Sequence, residues 1–492
     1  MSAPAITRAT VAGTLMPGFV GPELPEWVAE RLRNGMAGVC LFGENIVSRP
    51  QLASLSAAIR EANPHAIISV DEEGGDVTRL YFDIGSPYPG NALLGRRDDP
   101  ATTARIAEIV GWELRLAGVN LNLAPDVDIN SNPDNPVIGV RSFGADPALV
   151  ARHSAAWVEG LQRTGVAASA KHFPGHGDTA QDSHLAMPVV DRSLEELRER
   201  ELAPFAAVVA AGSQTIMTSH ILLPQLDAER VATFSSPILD ELLRGELGFQ
   251  GVIVSDALDM KGASGEVGIP TAAALALAGG SDLLCIGTKN TDAQMTQIED
   301  AVLAAVAEGT LSAARLENAY YRVAALATEL AASAVSIPIP EYITATDEPE
   351  FDLALATDSF DIADGAAETL AGADLAWVSI ETVANIAVGP APWGPFSAGV
   401  VADVRLDVNA PTASAVLTLP EGVIPVLVGK DNHRHEWVRE AIDAVRAARP
   451  VVVVDMGWPS DDRAYADIAT FGASRYVGRA LSSVILDLNG ER

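Results

Sequence analysis

VAASAKHFPGHGDTAQDSH, residues 166–184, starts as a strand and ends as something a strand does not need. Residues 166–171, VAASAK, form a short strand-like run directly after Gly165 that ends on a lysine. Residues 171–184 then carry three histidines, two aspartates and a lysine, broken by Pro174, Gly175 and Gly177, in a chain with only 8 histidines. A buried strand that opens into a dense polar loop is how parallel α/β folds present chemistry at the C-terminal ends of their strands.

The same pattern recurs on both sides. Apolar runs lie at TVAGTLM (10–16), GVCLF (38–42), AIISVD (66–71), VNLNLAP (119–125), QTIMTSH (214–220), VIVSD (252–256) and DLLCIG (282–287). Amphipathic segments rich in Ala, Leu, Glu and Arg separate many of them, such as PQLASLSAAIREANP and DPATTARIAEIVGWELRLAGV. Eight strands alternating with helices predict an α/β fold, a (β/α)8 TIM-type barrel over residues 1–335. A doubly wound open sheet is the rival, but no glycine-rich phosphate loop follows the first strand. Near residue 335 the pattern dissolves into ASAVSIPIPEYITATDEPE, whose three prolines predict a linker over 336–350. Beyond it, LAWVSI, PVLVG and PVVVVDMG recur, with the helical HEWVREAIDAVRAAR between the last two. That β-α-β layer predicts a smaller α/β sandwich over 351–492.

Composition narrows the partners. A net charge of −32 opposes binding to nucleic acid or an anionic membrane, since phosphate would be repelled. The two cysteines, Cys40 and Cys285, sit in apolar strand-like runs and read as core residues. The N-terminus shows no basic stretch leading into a continuous apolar one, and no run approaches the roughly 18 apolar residues of a membrane span. A cytoplasmic location is the expectation.

Five strand ends are polar: Asp71, Asp126, Lys171, His220 and Asp256. A strand has to end in something polar, which accounts for Asp126 and His220. The other three run into unusual glycine-rich or polar stretches. Lys171 and His172 offer two donors at a barrel mouth, suited to vicinal hydroxyls or a carboxylate. Asp182-Ser183-His184 puts a carboxylate two residues from an imidazole; such a partner fixes the tautomer and raises the pKa toward neutrality, as a group acting as acid and then base requires. Asp256 follows an apolar strand in GVIVSDALDM and has the makings of a nucleophile, with Asp259 as a helix-start or supporting residue. Asp71 opens DEEGGDVTRL, whose paired glycines permit a sharp turn. A metal-dependent barrel hydrolase would need ligands after the first and last strands, where MPGF and CIGTKN offer none. No metal and no organic cofactor is expected.

Taken together, VDEEGG, GVRSFGADP, KHFPGHGDT with its DSH, and SDALDM resemble glycoside hydrolase family 3, in particular its β-N-acetylglucosaminidase (NagZ-like) branch. The likeness runs through most of residues 8–330 and only loosely beyond. It implies a retaining exo-β-N-acetylglucosaminidase with Asp256 as nucleophile, His184 as acid/base and Asp182 as its dyad partner. It further implies that Asp71, Arg79, Arg141, Lys171 and His172 bind the terminal sugar, with muropeptides or chitin fragments as the substrate class. Glu72 and Asp259 depart from the branch pattern without touching those assignments. His176 matches the motif with no catalytic role assigned. Three alternatives stand beside this reading. Phosphate could replace water as acceptor, because deprotonated His184 is neutral and does not repel an anion. The sugar could be glucose, or the barrel could be an inactive sugar-binding protein.

Overall fold

The computed structural model describes residues 6–179, 187–265, 267–344, 347–383 and 385–490. By compactness the chain forms two units. The first comprises residues 1–72, 99–138 and 145–347; the second comprises 73–98, 139–144 and 348–492. Residues 73–98 and 139–144, which chain order alone assigns to the barrel, thus group with the second unit.

The first unit holds the predicted barrel. Its strands are β1 (Leu15–Met16), β2 (Gly38–Cys40), β3 (Ile67–Val70), β4 (Leu121–Asn122), β5 (Ala167–Phe173), β6 (Thr215–Thr218), β9 (Val252–Ser255) and β10 (Leu283–Cys285). A small antiparallel hairpin, β7 (Leu222–Leu223) with β8 (Asp227–Val231), follows β6. The eight strands form one sheet in the order β1-β10-β9-β6-β5-β4-β3-β2, every pairing parallel. At the two ends of that order, Cys40 N–H donates to the Pro17 carbonyl at 3.1 Å, drawing β2 toward β1 and nearly closing the ring. One buried cluster takes Met16, Cys40, Ile67, Leu121, Ala167, Met217, Val254 and Leu283, a residue from every strand.

Seven of the barrel strands are shorter than the runs that predicted them, and β5 reaches further. Within the run 10–16 only Leu15–Met16 is strand, because Arg8–Ala12 closes a helical turn capped by Thr7. Strand β5 continues past the expected end at Lys171 to Phe173, so His172 also stands on the strand.

The helices start where the local chemistry tells them to. Asp99 and Asp146 each accept two backbone N–H groups and each is followed by proline, whose missing N–H and fixed φ suit the first helical position. The resulting helices, Pro100–Leu116 and Pro147–Gln162, bury stripes at helical spacing, in the second case Val150, His153, Ser154, Trp157, Val158 and Leu161. Asp282 at the foot of β10 is fully buried and ionically held by both Arg244 and Arg315. The last barrel helix runs to Ser336, and the described part of 337–350 carries neither helix nor strand.

The second unit contains β11 (Asp361–Ile362), β12 (Asp374–Glu381), β13 (Val404–Asp407), β14 (Val423–Gly429), β15 (Val452–Asp455) and β16 (Ile468–Ala469). Their order is β11-β16-β15-β14-β12-β13, parallel except for β11 against β16. Helix Glu436–Ala448 connects β14 to β15 as predicted, burying Val438, Ala441, Ile442 and Val445. This is the smaller α/β domain expected from the sequence.

Candidate active site

The polar strand ends expected from the sequence stand at the C-terminal ends of β3, β4, β5, β6 and β9. On β5, Lys171 is almost fully buried and donates through Nζ to Asp71 Oδ1, just beyond β3, at 2.6 Å. Two residues predicted from separate stretches therefore meet as an ion pair. A buried ammonium is tolerated only with such a partner, and the pair offers a sugar hydroxyl one donor and one acceptor side by side.

His172, next on β5, is held by a residue that the sequence did not single out. Asp128 Oδ2 lies 2.6 Å from His172 Nδ1, and Asp128 Oδ1 accepts the backbone N–H of His172 at 3.3 Å and of His176 at 2.6 Å. Asp128 is buried, yet its carboxyl stays below the usual range: burial pushes upward, and the charge of His172, that bond and the His176 contacts outweigh it. An ionised Asp128 fixes the proton of His172 on Nδ1 and turns Nε2 the other way. Asp126, after β4, accepts the Asp128 N–H at 2.9 Å. The nearest sequence signal was the alternation of aspartates in DVDIN; the contacts lie 44 and 48 residues away.

Residues 174–179, the described start of the loop after β5, are packed as tightly as a core. A Cβ on Gly177 would lie 1.6 Å from the Ile129 carbonyl oxygen, so only glycine fits there. Asn135 Nδ2 donates to the carbonyls of His176 at 2.9 Å and Gly177 at 3.0 Å. His176 itself is buried, and burial drives its pKa down from 6.5 to about 4, against the opposing charge of Asp128. Its role is therefore structural, as a neutral ring beside Thr179, whose hydroxyl lies 2.8 Å from its Nδ1. A depressed folded pKa costs stability as pH falls: the unfolded chain takes up a proton near pH 6.5 while the folded chain refuses it down to about 4. The His176 contribution should be whole above that window and lose about 3 kcal/mol across it. Urea midpoints taken from pH 7 to pH 4.5 on the native chain and on His176→Gln test this. The variant's deficit should shrink as the pH drops, and a constant deficit would contradict the neutral buried ring.

Asp256 follows β9, half-buried. Its backbone N–H donates to Thr218 Oγ1 at 3.4 Å, and its Oδ1 accepts the Ala257 N–H at 2.7 Å. The charge of Asp256 is felt at His176, where it opposes the effect of burial. Asp259 accepts the Thr288 N–H at 2.7 Å and hydroxyl at 3.1 Å, and the following helix starts from Met260. Asp126, Asp128 and His172 each bring one ligand atom within 4.8 Å of the others, and among the described residues this group could hold a divalent cation.

Arg79 and Arg141 both belong to the second unit. Arg141 is buried and grips Glu73 with two bonds, Nε to Oε2 at 2.9 Å and Nη2 to Oε1 at 2.8 Å. Arg79 donates to the carbonyls of Thr78 at 3.1 Å and Ala387 at 2.9 Å. The paired glycines of DEEGG do turn sharply, with φ of 75° at Gly74 and 57° at Gly75. Asp182 and His184 lie outside the described residues.

Comparison with known proteins adds the lineage. The family model described as "Glycosyl hydrolase family 3 N terminal domain" matches residues 20–326. Beta-hexosaminidase A of Pseudoalteromonas piscicida is 36% identical over 347 residues, which is 65% of this chain and 57% of that protein. A beta-hexosaminidase of Stenotrophomonas maltophilia is 39% identical over 281 residues, 55% of this chain and 82% of that one. Among solved structures, a glycoside hydrolase family 3 beta-N-acetylglucosaminidase from Paenibacillus sp. str. FPU-7 superposes with a TM-score of 0.87 at 32% identity, covering 99% of this chain and 97% of its own. With a family match across the barrel and a relative alike over nearly its full length, this chain belongs to glycosyl hydrolase family 3 and is a glycoside hydrolase.

Proposed function

We propose that the chain is a retaining exo-β-N-acetylglucosaminidase, acting on terminal β-linked N-acetylglucosamine of cell-wall or chitin fragments. The observation that carries this reading is the constellation at one barrel mouth: the Lys171–Asp71 pair, His172 oriented by Asp128, and Asp256 at the end of β9. The beta-hexosaminidase relatives supply the sugar. Asp256 attacks the anomeric carbon while His184 gives its proton to the departing oxygen, leaving a glycosyl-enzyme ester. His184, now neutral, takes a proton from water as its oxygen attacks the same carbon, and Asp256 leaves as carboxylate. Asp182 partners His184, while Lys171, Asp71, His172, Arg79 and Arg141 bind the sugar. No cofactor takes part, and the reaction belongs in the cytoplasm.

Product analysis tests the reading most directly. On an aryl β-N-acetylglucosaminide, early NMR spectra should show free N-acetylglucosamine as the β-anomer, with or without millimolar phosphate, and at an unchanged rate in chelator. First appearance of the α-anomer would mean inversion. A dominant sugar 1-phosphate would make the enzyme a phosphorylase, and collapse in chelator would bring Asp126, Asp128 and His172 forward as metal ligands.

A further inference from the structure

The backbone around Asp256 is held by a closed loop of hydrogen bonds that the reading above does not use. Thr218, Thr233 and His220 are all fully buried. Thr218 Oγ1 accepts the Asp256 N–H at 3.4 Å and lies 2.8 Å from Thr233 Oγ1. Thr233 Oγ1 lies 2.9 Å from His220 Nδ1, and His220 Nε2 lies 3.0 Å from the Ala257 carbonyl oxygen.

A carbonyl only accepts, so His220 Nε2 carries a proton toward Ala257. The Thr233 hydroxyl donates to the Ser219 carbonyl at 2.8 Å, which also accepts the Thr233 backbone N–H at 3.2 Å. The same Thr233 oxygen lies within bonding reach of both Thr218 Oγ1 and His220 Nδ1, so it is the shared node that ties the two sides of the loop together.

We infer that His220, with Thr233 and Thr218, is a positioning unit for Asp256. It grips the peptide on both sides of that residue, at the Asp256 N–H and at the Ala257 C=O, and so sets where the carboxylate points. The inference rests on Asp256 being the nucleophile. Its consequence is kinetic: loosening the grip should slow attack on the anomeric carbon and leave sugar binding nearly intact, because Lys171, Asp71 and His172 hang on other strands.

Labelling with a slow 2-fluoro donor separates the two ideas. In the unmodified enzyme the label should appear on Asp256. In Thr233→Val, a near-isosteric change that removes the shared node, and in His220→Phe, the labelling rate constant and kcat should fall about 10- to 100-fold, with KM changed less than about threefold. Thr233→Ser, which restores the hydroxyl, should recover to within about threefold of the native rate. Native labelling rates in both Thr233→Val and His220→Phe would overturn the positioning role while leaving the nucleophile assigned. A loss of N-acetylglucosamine affinity equal to the loss in rate, or a Thr233→Ser variant as slow as Thr233→Val, would also overturn it. A label on another residue of the unmodified enzyme overturns both ideas. Should His220→Phe fail to fold, the two Thr233 variants decide alone.

Discussion

Asp256→Ala should abolish turnover, lowering kcat on the order of 10^4- to 10^6-fold, the scale seen when an enzyme loses its nucleophile. Folding should survive. Asp256 is half-buried, and its Oδ1 accepts the N–H of its own neighbour, Ala257. The melting temperature of the variant should therefore stay close to native while activity vanishes, a separation that a core aspartate such as Asp282, locked between Arg244 and Arg315, would not give. Small anions provide the sharper readout. With the nucleophile gone, azide can enter from the face that Asp256 occupied and displace an activated leaving group directly, giving the α-glycosyl azide. A variant that retains measurable hydrolysis with unchanged stereochemistry would remove Asp256 from the covalent role.

How much of this was legible in the sequence depends on the range of the interactions involved. The barrel was, because its strands are written as contiguous apolar runs such as IISV and VIVS and its helices carry local caps at Asp99 and Asp146. Strand ends pointed to Asp71, Lys171 and Asp256 for the same reason. What stayed hidden is chemistry assembled across sequence distance. Nothing local marks Asp128 as the residue that orients His172, since an aspartate in an apolar stretch near a strand end reads as a boundary. His220 was visible as a strand end, but its partners lie 13 and 37 residues further on. Arg79 and Arg141 came from family likeness alone, and the segments that carry them group with the second unit without any shift in composition to announce it. His176, which matched the motif without a catalytic role, is buried with its pKa pushed down to about 4, as suits a residue of the packing.

The remaining large effect concerns the proton. His184→Ala should cost about 10^3-fold in kcat/KM on donors with poor leaving groups, and less than about tenfold on activated aryl donors. The difference arises because an alcohol oxygen departs only if protonated, while a nitrophenolate leaves as an anion. On the activated donor the first step then runs ahead of the second, which still needs a base to deprotonate water. The glycosyl-enzyme should accumulate, visible as a burst of phenolate followed by slow turnover. Azide needs no base. It should restore turnover of this variant and give the β-glycosyl azide, the product of two inversions at the anomeric carbon, in contrast to the α-azide from Asp256→Ala. Asp182 enters through the same proton. If its carboxylate only tunes and orients His184, removing both residues should cost scarcely more than removing His184 alone, since a unit that acts together loses its function once. Losses that multiply in the double variant would give Asp182 a separate task. A His184→Ala enzyme equally slow on all leaving groups, with no burst and no azide rescue, would show that the proton comes from another residue.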